Sequence, residues 1–251
     1  MIVGSPTTVA GAAAECTAFP FFPVRGTVDR LIGVVRLDDK GFAAHCCRMT
    51  TANDEAARHQ AKMANRKAAQ DAEVAAKTIE KGLLIVHTGK GKGKSTAAFG
   101  LLMRALGRGF RCGVVQFGKG AWQSGERAAA ERFGDQVQWH TLGEGFTWET
   151  QDRARDVEAA KRAWAATQKL MADPSIRLIV LDELNIALRY DHLDIAEIVA
   201  ALQARRHDQH IVVTGRNAKP AMIEAADLVT EMVPVKHHFA SGVKAQEGIE
   251  F

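Results

Sequence analysis

The chain has 251 residues, of which 47% are hydrophobic and 25% charged, with a formal net charge of +4. That is enough for one well-cored domain and a tail, and it excludes a disordered polyelectrolyte or a collagen-like chain. No apolar run approaches the ~20 residues that cross a bilayer, and the one dense basic cluster, Lys90, Lys92 and Lys94, suits a small polyphosphate better than nucleic acid.

Residues 1–48 show no sustained period of either kind, and the composition changes abruptly at Met49. We expect Met49 to be the native start and 1–48 an upstream extension without fixed structure. From Asn53 to Lys81 the chain is rich in Ala, Lys, Arg, Glu and Gln and lacks Gly, Pro and aromatics until Lys81. That composition predicts a mostly polar helical arm over about 49–81, with the main domain spanning 82–251. The four cysteines, Cys16, Cys46, Cys47 and Cys112, have no metal-ligand spacing. They read as incidental thiols of a reducing, cytoplasmic compartment, and the N-terminus lacks the order of a signal peptide.

From Gly82 onward strands and helices alternate. Strands are predicted at 82–87, 112–117, 137–141, 177–181, 210–214 and 228–233, and helices at 95–106, 123–133, 150–171 and 193–206. Continuous apolar strands separated by helices predict an α/β fold with a mainly parallel six-stranded sheet and helices on both faces.

The strongest motif is Thr88-Gly89-Lys90-Gly91-Lys92-Gly93-Lys94-Ser95-Thr96, between the first strand and the first helix of this domain. Glycines let successive N–H groups turn inward around anionic oxygens, and the helix N-terminus adds its positive dipole end. Lys94 is placed to reach a terminal phosphate and Ser95 to ligate Mg²⁺ or Mn²⁺. The usual phosphate-loop pattern wants glycine at position 88; here it is Thr88, and the first glycine comes one residue later. An apolar strand ending in Asp182-Glu183 puts acids at the carboxyl edge of the sheet, where they would meet a metal beside the loop. Arg216-Asn217 follows the fifth strand onto the same edge. These motifs predict a P-loop NTPase-like nucleotide site and leave the reaction open.

Six segments in register narrow it: TGKGKGKSTAAFG (88–100), GKGAWQSGE (118–126), GEGFTW (143–148), LDELNIALRY (181–190), VTGRNA (213–218) and VKHHFASGVKAQEGIEF (235–251). Together, over about 49–251, they resemble the P-loop-type corrinoid adenosyltransferases. The resemblance implies attack of Co(I) of a corrinoid on C5′ of ATP, with triphosphate as the leaving group. It implies charge stabilisation by Lys92, Lys94 and Ser95 with Asp182 or Glu183 on the metal side. It implies an apolar face from Phe146 and Trp148 that keeps the cobalt reducible, and an N-terminal helix that closes over the corrinoid. It further implies a homodimer and an electron donor such as a reduced flavoprotein. A P-loop ATPase or kinase and a corrinoid-delivery protein are the rival readings.

Among the remaining residues, Lys119 and Glu126 flank a turn that could meet the nucleotide. Trp122, Trp139 and Trp164 read as packing or surface. His237-His238 are expected on a strand, pointing opposite ways.

Overall fold

The computed structural model describes the backbone of residues 39–118, 124–143 and 152–250, and side chains from Asp54 onward within these. The chain divides into two units, residues 1–76 and 77–251. Among the described residues of the first, a helix, α1, runs over Asp39–Ala75. It begins upstream of Met49 and ends short of Lys81, and from Asn53 to Ala75 its alanines and long straight side chains favour helix.

The second unit is an all-parallel six-stranded sheet with helices around it. Its strands are β1 (Leu84–Thr88), β2 (Arg111–Gln116), β3 (Val137–Thr141), β4 (Ile176–Asp182), β5 (His210–Thr214) and β6 (Leu228–Glu231). Their spatial order is β3-β2-β4-β5-β1-β6. The helices are α2 (Lys94–Leu106), α3 (Gly125–Ala130), α4 (Arg153–Ala172), α5 (Leu184–Arg189), α6 (Ile195–Gln203) and α7 (Pro220–Ala225). A short 3₁₀ segment, Glu131–Gln136, continues from α3, and another spans His238–Ser241. All six predicted strands are present; α5 and α7 are additional, and the helix expected at 123–133 gives way to 3₁₀ geometry after Ala130.

Within the central strands, residues alternate between two cores, as the period of two requires, apart from Ile176 at the irregular start of β4. Leu84, Val86, Ile179, Leu181, Ile211 and Val213 face one core, completed by α4, α5, α6 and Met222 of α7. Ile85, Val114, Leu178, Val180 and Val212 face the other, under Phe99, Leu102 and Leu106 of α2. A fully buried Leu, Ile or Val contributes roughly 1.5–3 kcal/mol, so both faces of the central strands bind their helical layers firmly. Glycine at 113 lets α4 pack close, since a Cβ there would meet the Leu170 side-chain end at 2.7 Å and Leu170 would have to shift.

Because every strand runs the same way, Thr88, Gln116, Thr141, Asp182 and Thr214 arrive together at one edge. In that order β5 lies between β1, which carries the Gly-rich loop, and β4, which carries the acids. Thr214 therefore ends beside both.

Candidate functional site

The loop begins later than the usual pattern because β1 runs on through Thr88. Thr88 pairs with Glu231 of β6, its carbonyl accepts from Met232 N at 2.8 Å, and its Oγ1 accepts from Ala218 N at 3.0 Å. The chain turns only at Gly89, whose φ of 97° is left-handed backbone that favours glycine. The loop then packs on the chain after β6. Gly91 N donates to Met232 O at 2.7 Å, and a Cβ at Gly91 would lie 2.8 Å from that oxygen.

Gly93, at φ 106°, is the N-cap of α2 and has no side chain to satisfy the first-turn N–H groups; no acidic residue sits in that turn. An uncapped, uncontested helix N-terminus offers N–H donors and a positive dipole end to an anion. Lys94 opens this helix and is buried; its ammonium donates to Gly91 O at 2.5 Å. Burial lowers the Lys94 pKa first of all, Glu183 opposes that, and Arg216 and Lys92 add to it. Glu183, Arg216 and Lys92 thus all lie within electrostatic reach of Lys94. Ser95 is half-buried, and Lys90, Lys92 and Thr96 are exposed along the loop. Beneath, buried His87 faces Lys94 O from Nδ1 at 3.3 Å, and burial lowers its pKa.

Asp182 is fully buried at the end of β4. Its Oδ2 accepts from Gln116 Nε2 at 3.1 Å and its Oδ1 from Thr214 Oγ1 at 2.9 Å. Glu183 turns the other way, with a left-handed backbone at φ 64°. Two glycines make room for it: a Cβ at Gly118 would come within 3.3 Å of Glu183 Cβ, and one at Gly215 within 3.1 Å of Glu183 Oε2. Gly215-Arg216-Asn217 form the turn after β5, with φ of 127° at Gly215 and 55° at Asn217. The Ala218–Thr88 hydrogen bond ties that turn to the loop.

One edge thus brings together Thr88 to Thr96, Asp182, Glu183, Arg216 and Asn217. Phe146 and Trp148, with Lys119 and Trp122, lie outside the described residues. Hard oxygen donors on the acid side fit a divalent ion that keeps waters and phosphate oxygens in its shell, since Mg²⁺ commonly takes only one or two carboxylates from protein. No cluster of three His, Cys, Asp or Glu capable of enclosing a metal occurs among the described residues.

Three features were not anticipated. Gln116 and Thr214 hold Asp182, although both read as ordinary strand residues. The C-terminal segment returns to the loop, where Glu250 pairs with Lys92, and His238 Nε2 lies 2.8 Å from Glu250 Oε1. The Lys92 hydrogen bond holds the Glu250 carboxyl below its ordinary range. Gly248, Ile249 and Glu250 also wall a cleft of about 380 Å³ against Phe99 and Met103 of α2 and Glu126. His237 and His238 do not diverge as strand neighbours would; their rings stack at 5.0 Å, because the chain coils into 3₁₀ geometry at His238. Trp164 packs in the core, whereas Trp139 stacks on Phe99 and donates to Gln116 Oε1 at 3.1 Å. Cys112 is a free, buried thiol whose pKa burial pushes up to about 12, so it is no nucleophile at neutral pH.

Residues 80–251 match the family described as ATP:corrinoid adenosyltransferase BtuR/CobO/CobP. The chain belongs to this family. Residues 49–74 separately match a cob(I)alamin adenosyltransferase N-terminal family. A corrinoid adenosyltransferase of Sinorhizobium sp. is 57% identical over 80% of this chain and 94% of its own length. One from Pseudomonas aeruginosa is 55% identical over 77% of this chain and 96% of its own. One from Escherichia coli is 45% identical over 77% of this chain and 98% of its own. No helix among the described residues is long and apolar enough to cross a membrane.

Proposed function

We propose that this chain transfers the 5′-deoxyadenosyl group of ATP to the Co(I) of a corrinoid substrate. The cobalt lone pair forms the Co–C5′ bond, the C5′–O bond breaks, and its electron pair leaves with triphosphate. The observation that carries this reading is that the family match spans an uncapped phosphate loop facing an acid pair. No protein nucleophile is required, so the work of the site is to hold the triphosphate and stabilise its growing charge.

Lys94 leaves the Gly91 carbonyl for a phosphate oxygen, and the N–H groups opening α2 take others. Lys92 and Arg216 add positive charge from the two flanking turns, and Asn217 shapes the second. Ser95 and the Asp182-Glu183 pair form the metal side, where Mg²⁺ or Mn²⁺, when bound, neutralises part of the triphosphate charge. Phe146 and Trp148 serve the corrinoid face, and residues 49–81 keep water from the corrinoid; the N-terminal family match at 49–74 supports a dedicated role for that arm. A homodimer in the cytoplasm, supplied with electrons by a reduced flavoprotein, completes the reading.

Lys94→Ala tests it. Turnover should fall by about 100-fold or more, while the affinity for cob(II)alamin, measured by its visible spectrum, stays unchanged. Turnover within twofold of the parent would overturn the assignment of the loop.

A further inference from the structure

A buried polar chain crosses four strands at the nucleotide edge. Trp139 Nε1 and Thr141 Oγ1 on β3 both donate to Gln116 Oε1 on β2, at 3.1 and 3.0 Å. With its oxygen held by two donors, the amide has one orientation, and Nε2 must face Asp182 Oδ2 on β4, 3.1 Å away. On the other side Thr214 of β5 gives its one hydroxyl proton to Asp182 Oδ1 at 2.9 Å. The same hydroxyl oxygen accepts from Glu183 N, also at 2.9 Å.

Every member is therefore oriented by its neighbour. Thr214 does two things at once: it pins Asp182 inward and holds the backbone N–H of Glu183. That second bond supports a left-handed residue, at φ 64°, which L side chains resist. The Glu183 side chain is consequently directed across Gly215 toward the charged groups of the loop.

The placement of these polar groups is informative. The neighbouring interior positions are aliphatic, Val114 and Val115 on β2 and Val212 and Val213 on β5, all fully buried. Polar side chains replace them at the last residue of each strand, Gln116 and Thr214, which are themselves buried. Burying polar groups costs stability unless each is paired, and a sheet interior gains more from valine. Their cost is offset where a fixed carboxylate orientation matters, because partners behind a ligand set how it meets its ion.

We propose that Gln116 and Thr214 are positioning residues for adenosyl transfer, fixing the Asp182 carboxylate and the turn that presents Glu183 to the metal–triphosphate. This rests on the metal-side reading of the acid pair given above. Neither residue touches the reacting atoms; both act through Asp182 and Glu183.

The test uses the full chain and four variants, Thr214→Val, Thr214→Ser, Gln116→Met and Glu183→Gln. Calorimetric ATP binding is titrated across Mg²⁺ concentrations, alongside kcat, the KM for cob(I)alamin and a thermal melt. Thr214→Val should raise the Mg²⁺ concentration that half-saturates ATP binding by about 10-fold and lower kcat by about 10- to 100-fold. The KM for cob(I)alamin should not move, and Thr214→Ser, which keeps the hydroxyl, should restore both quantities. Gln116→Met should shift them the same way and carries the test should Thr214→Val not fold. Lower melting temperatures with the parent's Mg²⁺ titration and kcat would overturn the inference, leaving the network a structural one. Glu183→Gln separates the two readings. If it leaves the Mg²⁺ titration unchanged, the metal-side assignment falls and the inference with it. If it shifts the titration while Thr214→Val and Gln116→Met do not, the positioning inference alone falls.

Discussion

Replacing Thr88 by glycine would restore the usual spacing of a phosphate loop, yet the structure predicts harm. Thr88 is the last residue of β1 and is 6% exposed. Glycine there removes the acceptor of the 3.0 Å bond from half-buried Ala218 N, a loss of about 1 kcal/mol. It adds about 0.5–1 kcal/mol of backbone entropy in a strand. It also removes a buried methyl worth about 0.8 kcal/mol. The sum is about 2.3–2.8 kcal/mol, and at roughly 2–4 °C per kcal/mol for a domain of this size the melting temperature should fall by about 5–11 °C. The Ala218 bond is also what ties the Arg216-Asn217 turn to the loop, so the KM for ATP should rise rather than fall. Circular dichroism melting and steady-state kinetics measure both, with Thr88→Ser, which keeps the acceptor, as the control. If Thr88→Gly melts within about 2 °C of the parent and binds ATP more tightly, the account of why the loop starts at Gly89 is wrong.

Glu250→Gln should lower the KM for ATP by about two- to fivefold at low salt, because triphosphate no longer competes with a carboxylate for Lys92. The effect should fade as salt screens the half-exposed pair, and an unchanged KM at low salt would refute the competition. Acid should destabilise the domain in two stages. Burial lowers the pKa of His87, His140, His192 and His210, so the unfolded chain binds more protons once the pH drops below about 6.5. Stability should therefore be full above that pH and decline as the pH falls through it. A second loss follows below about 4, where Asp191, Asp208 and Asp227, all held below their ordinary range, become protonated. Melts at pH 7.5 and 5.5 test the first stage, and equal melting temperatures would contradict it.

The parallel sheet was legible because its strands are apolar runs long enough to bury both faces, and the loop was legible because it stands between a strand and a helix. Asp182-Glu183 was visible as the polar end of such a run. What separates the two acids was not: their opposite directions follow from the left-handed turn at Glu183 and from β5 lying between β1 and β4. Strand order is a long-range property that no local pattern encodes. Gln116 in Val-Val-Gln-Phe and Thr214 in Val-Val-Thr-Gly carried a faint signal, a polar residue closing an apolar run, which is common where a strand reaches solvent. Only their burial gives it meaning. The six-residue helices α5 and α7 are under two turns, too short for a helical period to show. The pairing of Glu250 with Lys92 joins residues far apart in the chain, and no spacing rule predicts it.

The most direct test of the central claim is a product analysis. Purified protein, ATP, Mg²⁺ and chemically reduced cob(I)alamin are incubated without oxygen, and both the corrinoid and the phosphate products are separated. A light-sensitive adenosylated corrinoid appearing with equimolar triphosphate is the predicted result. ADP and phosphate without a cobalt–carbon product would contradict it, and would mean that the loop at Gly89 to Ser95 serves ordinary hydrolysis.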